Sequence, residues 1–229
     1  TVAAAEAWFG QATNTEKADL FHAVTSGFRA IGPVPDLAAL RAALVPYEGM
    51  TTDDLRSNLK SFLNEVVSTA HDVGISMALV PGDPPRSILG LPNVVSDVDD
   101  LKWIMNVMDV PSNGLTLISG ALGALPENDV LEICREFSER IHFAELRNVV
   151  LAPDGSFRES DHLEGDLNLV AIIDELLEAE MRRDIVLPFR AVFGRDLLHD
   201  FGKAVQSGKP SVGQLRGRSE IRSVLSAPA

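Results

Sequence analysis

Residues 51–80 read TTDDLRSNLKSFLNEVVSTAHDVGISMALV, in which a long amphipathic stretch leads directly into a short apolar one. Apolar residues recur at intervals of three and four through residues 50–73, which predicts a helix with one apolar face. Thr51 and Asp54 have the spacing of a capping box at its start. The run 75–80 stops at a Pro-Gly-Asp-Pro-Pro sequence, so it is predicted to be a buried strand that leads into a rigid loop.

The alternation of helix and strand continues along the chain. Helices are predicted at residues 97–108, 128–139 and 166–183, strands at 115–119, 141–150 and 185–190, and two further helices from about Asp196 and Gln214. Helices that alternate with apolar strands are typical of a parallel sheet covered by helices. The predicted fold class is therefore α/β, with about four parallel strands in a domain that covers residues 51–229.

The first 50 residues have a different character. They are rich in alanine, contain Pro33, Pro35 and Pro46, and include no convincing strand. We predict a helical N-terminal extension at residues 1–50, with a boundary near Met50 that has no flexible Gly/Ser linker.

Composition and charge argue against several classes of partner. The chain has 33 acidic and 20 basic residues and a net charge of −13, which disfavours binding to nucleic acid or to an anionic membrane surface. No apolar run reaches the ~18 residues that a bilayer-spanning helix requires. The single cysteine, Cys134, gives no indication of an oxidising compartment. The first residues lack the pattern of a signal peptide, so we expect a cytoplasmic protein.

Several blocks along the domain resemble a known family in their order and spacing. They are PPRSILGLP at 84–92, NGLT at 113–116, IHFAELRNV at 141–149, GSF at 155–157 and DHLEGD at 161–166. They resemble the C-terminal two-thirds of mannonate dehydratases, and the resemblance runs from about residue 5 to residue 225. It implies a partial (β/α)₈ TIM barrel of the xylose-isomerase-like kind, with about four strands missing from this chain. Because a partial barrel exposes two sheet edges, we expect a homo-oligomer or a partner chain to cover them.

The resemblance also implies an activity, the dehydration of D-mannonate to 2-keto-3-deoxy-D-gluconate with a divalent metal, usually manganese. The family's four metal ligands, a His, a Cys, a second His and an Asp, correspond here to Val80, Ile118, Glu145 and Val192. The family's proton-transferring His and Tyr correspond to Phe193 and Lys209. Three of the four ligand positions offer no lone pair, and Glu145 alone cannot hold Mn²⁺ in a specific site.

These substitutions favour a catalytically degenerate member of the family, with no catalytic residue and no metal. We expect the hydrocarbon side chains to fill the former centre as a packed core. The alternative is an active mannonate dehydratase-type lyase that uses Mn²⁺, with ligands from a partner chain or from Asp83, Glu145, His162 and Asp166. A third possibility is a purely structural role.

Six residues keep the types that the family has around its site, and they are candidates for binding a sugar acid. They are Arg86, Arg147, Asn148, His162, Asp166 and Arg190. Arginine suits a carboxylate because its planar guanidinium donates two parallel hydrogen bonds. Arg147 and Asn148 could equally form a buried ion pair or brace a loop, and His162 could be satisfied by backbone or by Asp166. For Glu145, the only possible residual metal ligand, we predict instead a salt bridge to Arg147 or Arg190.

Overall fold

The computed structural model of the chain describes residues 2–25, 36–200 and 210–226. The chain divides into two compact units, Thr1–Met50 and Thr51–Ala229. The described part of the first unit is helical, with α1 at Val2–Gln11, α2 at Asn14–Thr25, α3 at Leu37–Leu44 and a 3₁₀ turn at Val45–Tyr47. Pro33 and Pro35 lie outside the described residues.

The second unit begins with α4 at Thr52–Asp72, where the predicted capping box is confirmed. The Asp54 amide donates to Thr51 Oγ1 at 3.1 Å, and the Thr51 amide donates to Asp54 Oδ2 at 2.9 Å. The helix ends before Gly74, whose φ of +71° is readily adopted only by a residue without a side chain. Leu63, Val67 and Ala70 form its buried face.

Four parallel strands form the main sheet, as predicted. They are β1 at Met77–Leu79, β2 at Asn113–Ile118, β3 at Ile141–Leu146 and β6 at Phe189–Ala191, in the order β1-β2-β3-β6. The remaining helices are α5 at Val98–Val107, α6 at Ser119–Leu122, α7 at Val130–Glu136, α8 at Leu169–Arg183 and α9 at Ser211–Leu225. A 3₁₀ turn follows α7 at Ser138–Arg140. Within the described ranges, β1 and β6 each have a strand on one side only.

One predicted strand is divided in the structure. The run 141–150 was expected to be continuous, but it ends at Leu146 and resumes as β4 at Val149–Leu151. This strand pairs with β5 at Phe157–Glu159 in an antiparallel hairpin outside the main sheet. At the break, the Arg147 amide donates to Ser119 Oγ at 2.9 Å and not to a neighbouring strand.

Two predictions near the C-terminus also need correction. The last strand starts at Phe189 and not at residue 185, directly after Pro188, which has no amide hydrogen to donate to a sheet. Residues 196–200 are not helical, and residues 201–209 lie outside the described part of the chain. The Asp200 carboxylate instead accepts hydrogen bonds from the amides of Val212 and Gly213, at 3.0 and 3.3 Å, in the first turn of α9.

The hydrophobic core lies between the sheet and its covering helices. It contains Leu115 and Leu117 of β2 and Ala144 of β3, which pack with residues of α4, α5, α7 and α8. The Cys134 thiol is buried in this core, where burial raises its pKa to about 12 and leaves it protonated. None of the helices in the described ranges has the length and apolar character needed to cross a membrane.

Candidate functional site

The carboxyl ends of the four parallel strands open into one cavity of about 840 Å³. Val80 follows β1, Ile118 ends β2, Glu145 lies one residue before the end of β3, and Val192 follows β6. All four side chains line the cavity. Ligand sites in parallel α/β sheets lie at this edge, so the topology brings the four positions together where a site is expected.

The cavity is open, and the prediction that apolar side chains fill it as a packed core is wrong. Val80 is 58% exposed, although Ile118 is only 7% exposed. Among the described residues, β1 has a strand neighbour on one side only, so no further strand covers the side chain that follows its carboxyl end. The replacements therefore give the cavity an apolar floor without closing it.

Arg147 forms a buried ion pair beside the cavity, which is one of the two roles considered for it. Its side chain is 2% exposed, and its Nη1 and Nη2 donate to the two carboxylate oxygens of Asp83 at 2.8 and 3.0 Å. Glu159 lies 3.5 Å from Nη1. The guanidinium carbon lies 4.5 Å from the centre of the Phe193 ring, a cation–π distance. Gly120 makes room for this arrangement, since a Cβ there would come within 2.5 Å of Arg147 Cγ.

Glu159 has the most strongly perturbed carboxyl group near the site. Burial raises its pKa from 4.5 to about 7, against the opposing effect of the positive charge on Arg147. The Asp83 carboxylate raises this pKa further because two like charges would share one guanidinium.

Three other candidate residues hold the surrounding loops together. Asn148 is fully buried, and its side-chain amide donates to the carbonyls of His162 and Leu167 at 2.8 and 2.9 Å. Its Oδ1 accepts from the amides of Val149 and Leu167, both at 3.0 Å. Asp166 accepts from the Leu151 amide at 2.7 Å. Arg86 donates to the carbonyls of Ala124 and Gly155 at 3.2 and 3.1 Å.

His162 lies beneath α9 and does not line the cavity. It is 1% exposed, and a Cβ on Gly217 would come within 2.2 Å of its Cε1, so only a glycine fits at this point of the helix. Burial lowers the pKa of the imidazole, which keeps it neutral at pH 7. Of the six predicted binding residues, Arg190 is the one whose side chain lines the cavity.

One wall of the cavity comes from α9, a helix that was predicted to start near Gln214 but that contains none of the candidate site residues. Gln214, Arg218, Ile221, Arg222 and Leu225 line it. These positions are separated by four, three, one and three residues, which places them on one face of a helix. This spacing was visible in the sequence, but only the fold shows that the face turns toward the strand ends.

The comparisons with known proteins cover nearly the whole chain. The family model for D-mannonate dehydratase (UxuA) matches residues 8–228. The chain belongs to the mannonate dehydratase family. It is 37% identical over 230 residues to the mannonate dehydratase of Rhizobium meliloti (strain 1021), covering 96% of this chain and 57% of the relative. It is 38% identical over 195 residues to that of Saccharophagus degradans, covering 82% and 49%. The chain thus spans about half the length of the curated relatives it matches.

Solved structures agree with this assignment. The mannonate dehydratase of Streptococcus suis serotype 2 superposes with a TM-score of 0.71 at 28% identity, over 84% of this chain and 55% of that chain. A xylose isomerase domain protein from Planctomyces limnophilus superposes with a TM-score of 0.51 at 16% identity, over 78% and 54%, and shows the fold alone. The α/β fold of this family member is thus the TIM-barrel-like fold of xylose isomerases, represented here by four parallel strands.

The residues that line the cavity of this mannonate dehydratase family member do not fit a divalent metal. Glu145 is the only donor among the four ligand positions, and its Oε1 accepts hydrogen bonds from Nε of Arg190, at 3.1 Å, and from Nη2. This is one of the two salt bridges predicted for Glu145. Asp83 also lines the cavity, but Arg147 holds both of its oxygens. The described ranges contain no group of three or more His, Cys, Asp or Glu placed to hold a metal. Lys209 lies outside those ranges.

Proposed function

We propose that this chain is a noncatalytic member of the mannonate dehydratase family that binds a sugar acid at the cavity above its strand ends. One observation carries the proposal. Val80, Ile118 and Val192 place hydrocarbon side chains at three of the four positions that correspond to metal ligands. The carboxylate at the fourth position, Glu145, already pairs with Arg190. Without several oxygen or nitrogen donors, no cation can act there as a Lewis acid on the substrate.

The same cavity keeps features that suit binding. Its volume of about 840 Å³ lies within the range of small-molecule sites in proteins. Arg218 and Arg222 line it and can donate paired hydrogen bonds to a carboxylate, Gln214 can contact hydroxyl groups, and Arg190 lines it as the partner of Glu145. Apolar side chains together with a few polar donors are the usual composition of a ligand pocket.

The test combines an activity assay with a binding assay on the purified chain. D-Mannonate is supplied with and without Mn²⁺, and formation of 2-keto-3-deoxy-D-gluconate is followed together with the thermal midpoint Tm. We expect no product in either case and a rise in Tm with D-mannonate. Turnover that requires Mn²⁺ and stops with a chelator would establish the lyase alternative. Neither turnover nor a change in Tm would leave only a structural role.

We also propose that another chain pairs with the free edges of β1 and β6. The support is the topology, because each strand has a neighbour on one side only within the described residues. Unpaired edge strands attract further strands. A second copy of this chain would supply four more parallel strands.

We also propose that the protein is cytoplasmic, in keeping with its single buried cysteine.

A further inference from the structure

The cavity holds two carboxylates, and each is already neutralised. Asp83 receives two hydrogen bonds from Arg147, and Glu145 receives two from Arg190. These two pairs leave no anionic group in the lining that could balance a further positive charge. The charge of any additional cation in the lining can therefore be balanced only by solvent ions or by a bound ligand.

Two additional cations are present, Arg218 and Arg222, one helical turn apart on α9. Both side chains line the cavity, and both residues are exposed. No ion pair of either arginine is formed with residues of the described ranges. Like charges at this spacing repel each other on an isolated helix, so the arrangement costs stability unless an anion lies between them.

Arg216 on another face of the same helix provides the contrast. Its guanidinium pairs with Asp161 at 3.1 Å, with Glu164 at 3.4 Å and with Glu220 at 2.7 Å. Arg216 thus lies among three carboxylates, whereas the two arginines that α9 presents to the cavity have no ion-pair partner among the described residues. In a chain of net charge −13, this wall therefore carries a local excess of two positive charges.

We infer that the cavity selects a dianionic sugar derivative, one that carries a second carboxylate or a phosphate, over a sugar monoacid. This inference rests on the proposed function, since it names the class of sugar acid that the same cavity binds. A monoanion balances only one of the two unpaired guanidinium groups, whereas a dianion balances both. Arg218 and Arg222 lie on one face of α9, so each can donate to one of the two anionic groups of the same ligand.

The test measures binding constants by isothermal titration calorimetry on the full chain. D-Gluconate, D-glucarate and 6-phospho-D-gluconate share a six-carbon framework but differ in the second anionic group. We expect D-glucarate, 6-phospho-D-gluconate or both to bind at least about tenfold more tightly than D-gluconate, because charge-assisted hydrogen bonds to a second anionic group are strong. The tighter of the two identifies carboxylate or phosphate as the second group.

Variants then locate the effect. Arg218→Gln and Arg222→Gln, made separately, should each weaken dianion binding by about three- to tenfold and change D-gluconate binding less. Arg158→Gln removes one exposed positive charge that does not line the cavity and should leave all affinities unchanged. Thermal unfolding of each variant checks that α9 remains folded.

The outcomes separate the two proposals. Equal affinities for D-gluconate, D-glucarate and 6-phospho-D-gluconate would overturn the dianion preference while leaving sugar-acid binding intact. A dianion preference that survives both α9 substitutions would also overturn the inference, since the second anionic group would then bind elsewhere. If no sugar acid binds, the proposed function itself is overturned.

Discussion

Removing the carboxyl group of Glu159 should change how the stability of the protein depends on pH. The folded protein keeps this carboxyl protonated up to about pH 7, whereas the unfolded chain releases the proton near 4.5. Between these values the folded state holds more protons, so its stability falls as the pH rises. At about 1.4 kcal/mol per pH unit, the ionised carboxylate costs about 3 kcal/mol above pH 7. Below 4.5 both states are protonated, and this cost disappears.

The variant Glu159→Gln keeps the shape of the side chain but cannot ionise. We therefore expect the free energy of unfolding of the variant, minus that of the wild type, to increase by about 3 kcal/mol between pH 4.5 and pH 8. The attraction between the ionised carboxylate and Arg147, which lie 3.5 Å apart, is already included in the pKa of about 7, and any difference between the neutral carboxyl and the neutral amide at this position adds a constant that does not depend on pH.

Chemical denaturation at a series of pH values measures this difference. Glu178→Gln serves as the control for removing a carboxylate, since that side chain is 62% exposed on α8 and not buried. A difference that stays constant for Glu159→Gln, or that decreases with rising pH, would refute the argument. It would mean that the Arg147 charge outweighs burial and keeps the carboxylate ionised in the folded state.

Two further predictions concern the architecture of the domain. Asn148→Ala leaves two carbonyls and two amides in a buried or partly buried environment without their partner, so it should lower the free energy of unfolding by about 3 kcal/mol; a loss below about 1 kcal/mol in denaturant titration would contradict the bracing role. If a second copy pairs with the free strand edges, light scattering should give a mass of at least twice 24.7 kDa, whereas a stable monomer would contradict self-pairing.

The sequence was sufficient for the alternation of helix and strand but not for every boundary. Periodicity and the Thr51–Asp54 spacing located α4, because both signals are local to one helix. The break after Leu146 could not be predicted from the apolar run around it. It depends on Ser119, which lies 28 residues away and whose Oγ accepts the hydrogen bond of the Arg147 amide in place of a strand carbonyl.

The candidate site was even harder to predict from the sequence, because it depends on contacts between residues that are far apart in the chain. Motif positions placed Val80 and Ile118 correctly at the strand ends, but they did not show whether the space between them is filled or open. Arg147 and Asp83 are 64 residues apart, and their pairing follows from the course of the chain between them. The spacing of Arg218 and Arg222 in the sequence predicts that they share one face of a helix. Which part of the protein that face lies against depends on how α9 packs.

The ion pair between Glu145 and Arg190 bears on any attempt to engineer a metal centre into this cavity. Donors introduced at positions 80, 118 and 192 would surround a carboxylate whose Oε1 already accepts two hydrogen bonds from the guanidinium. An incoming cation and the guanidinium would then compete for the same oxygen. A redesign would therefore have to release Glu145 from its partner as well as add donors around it.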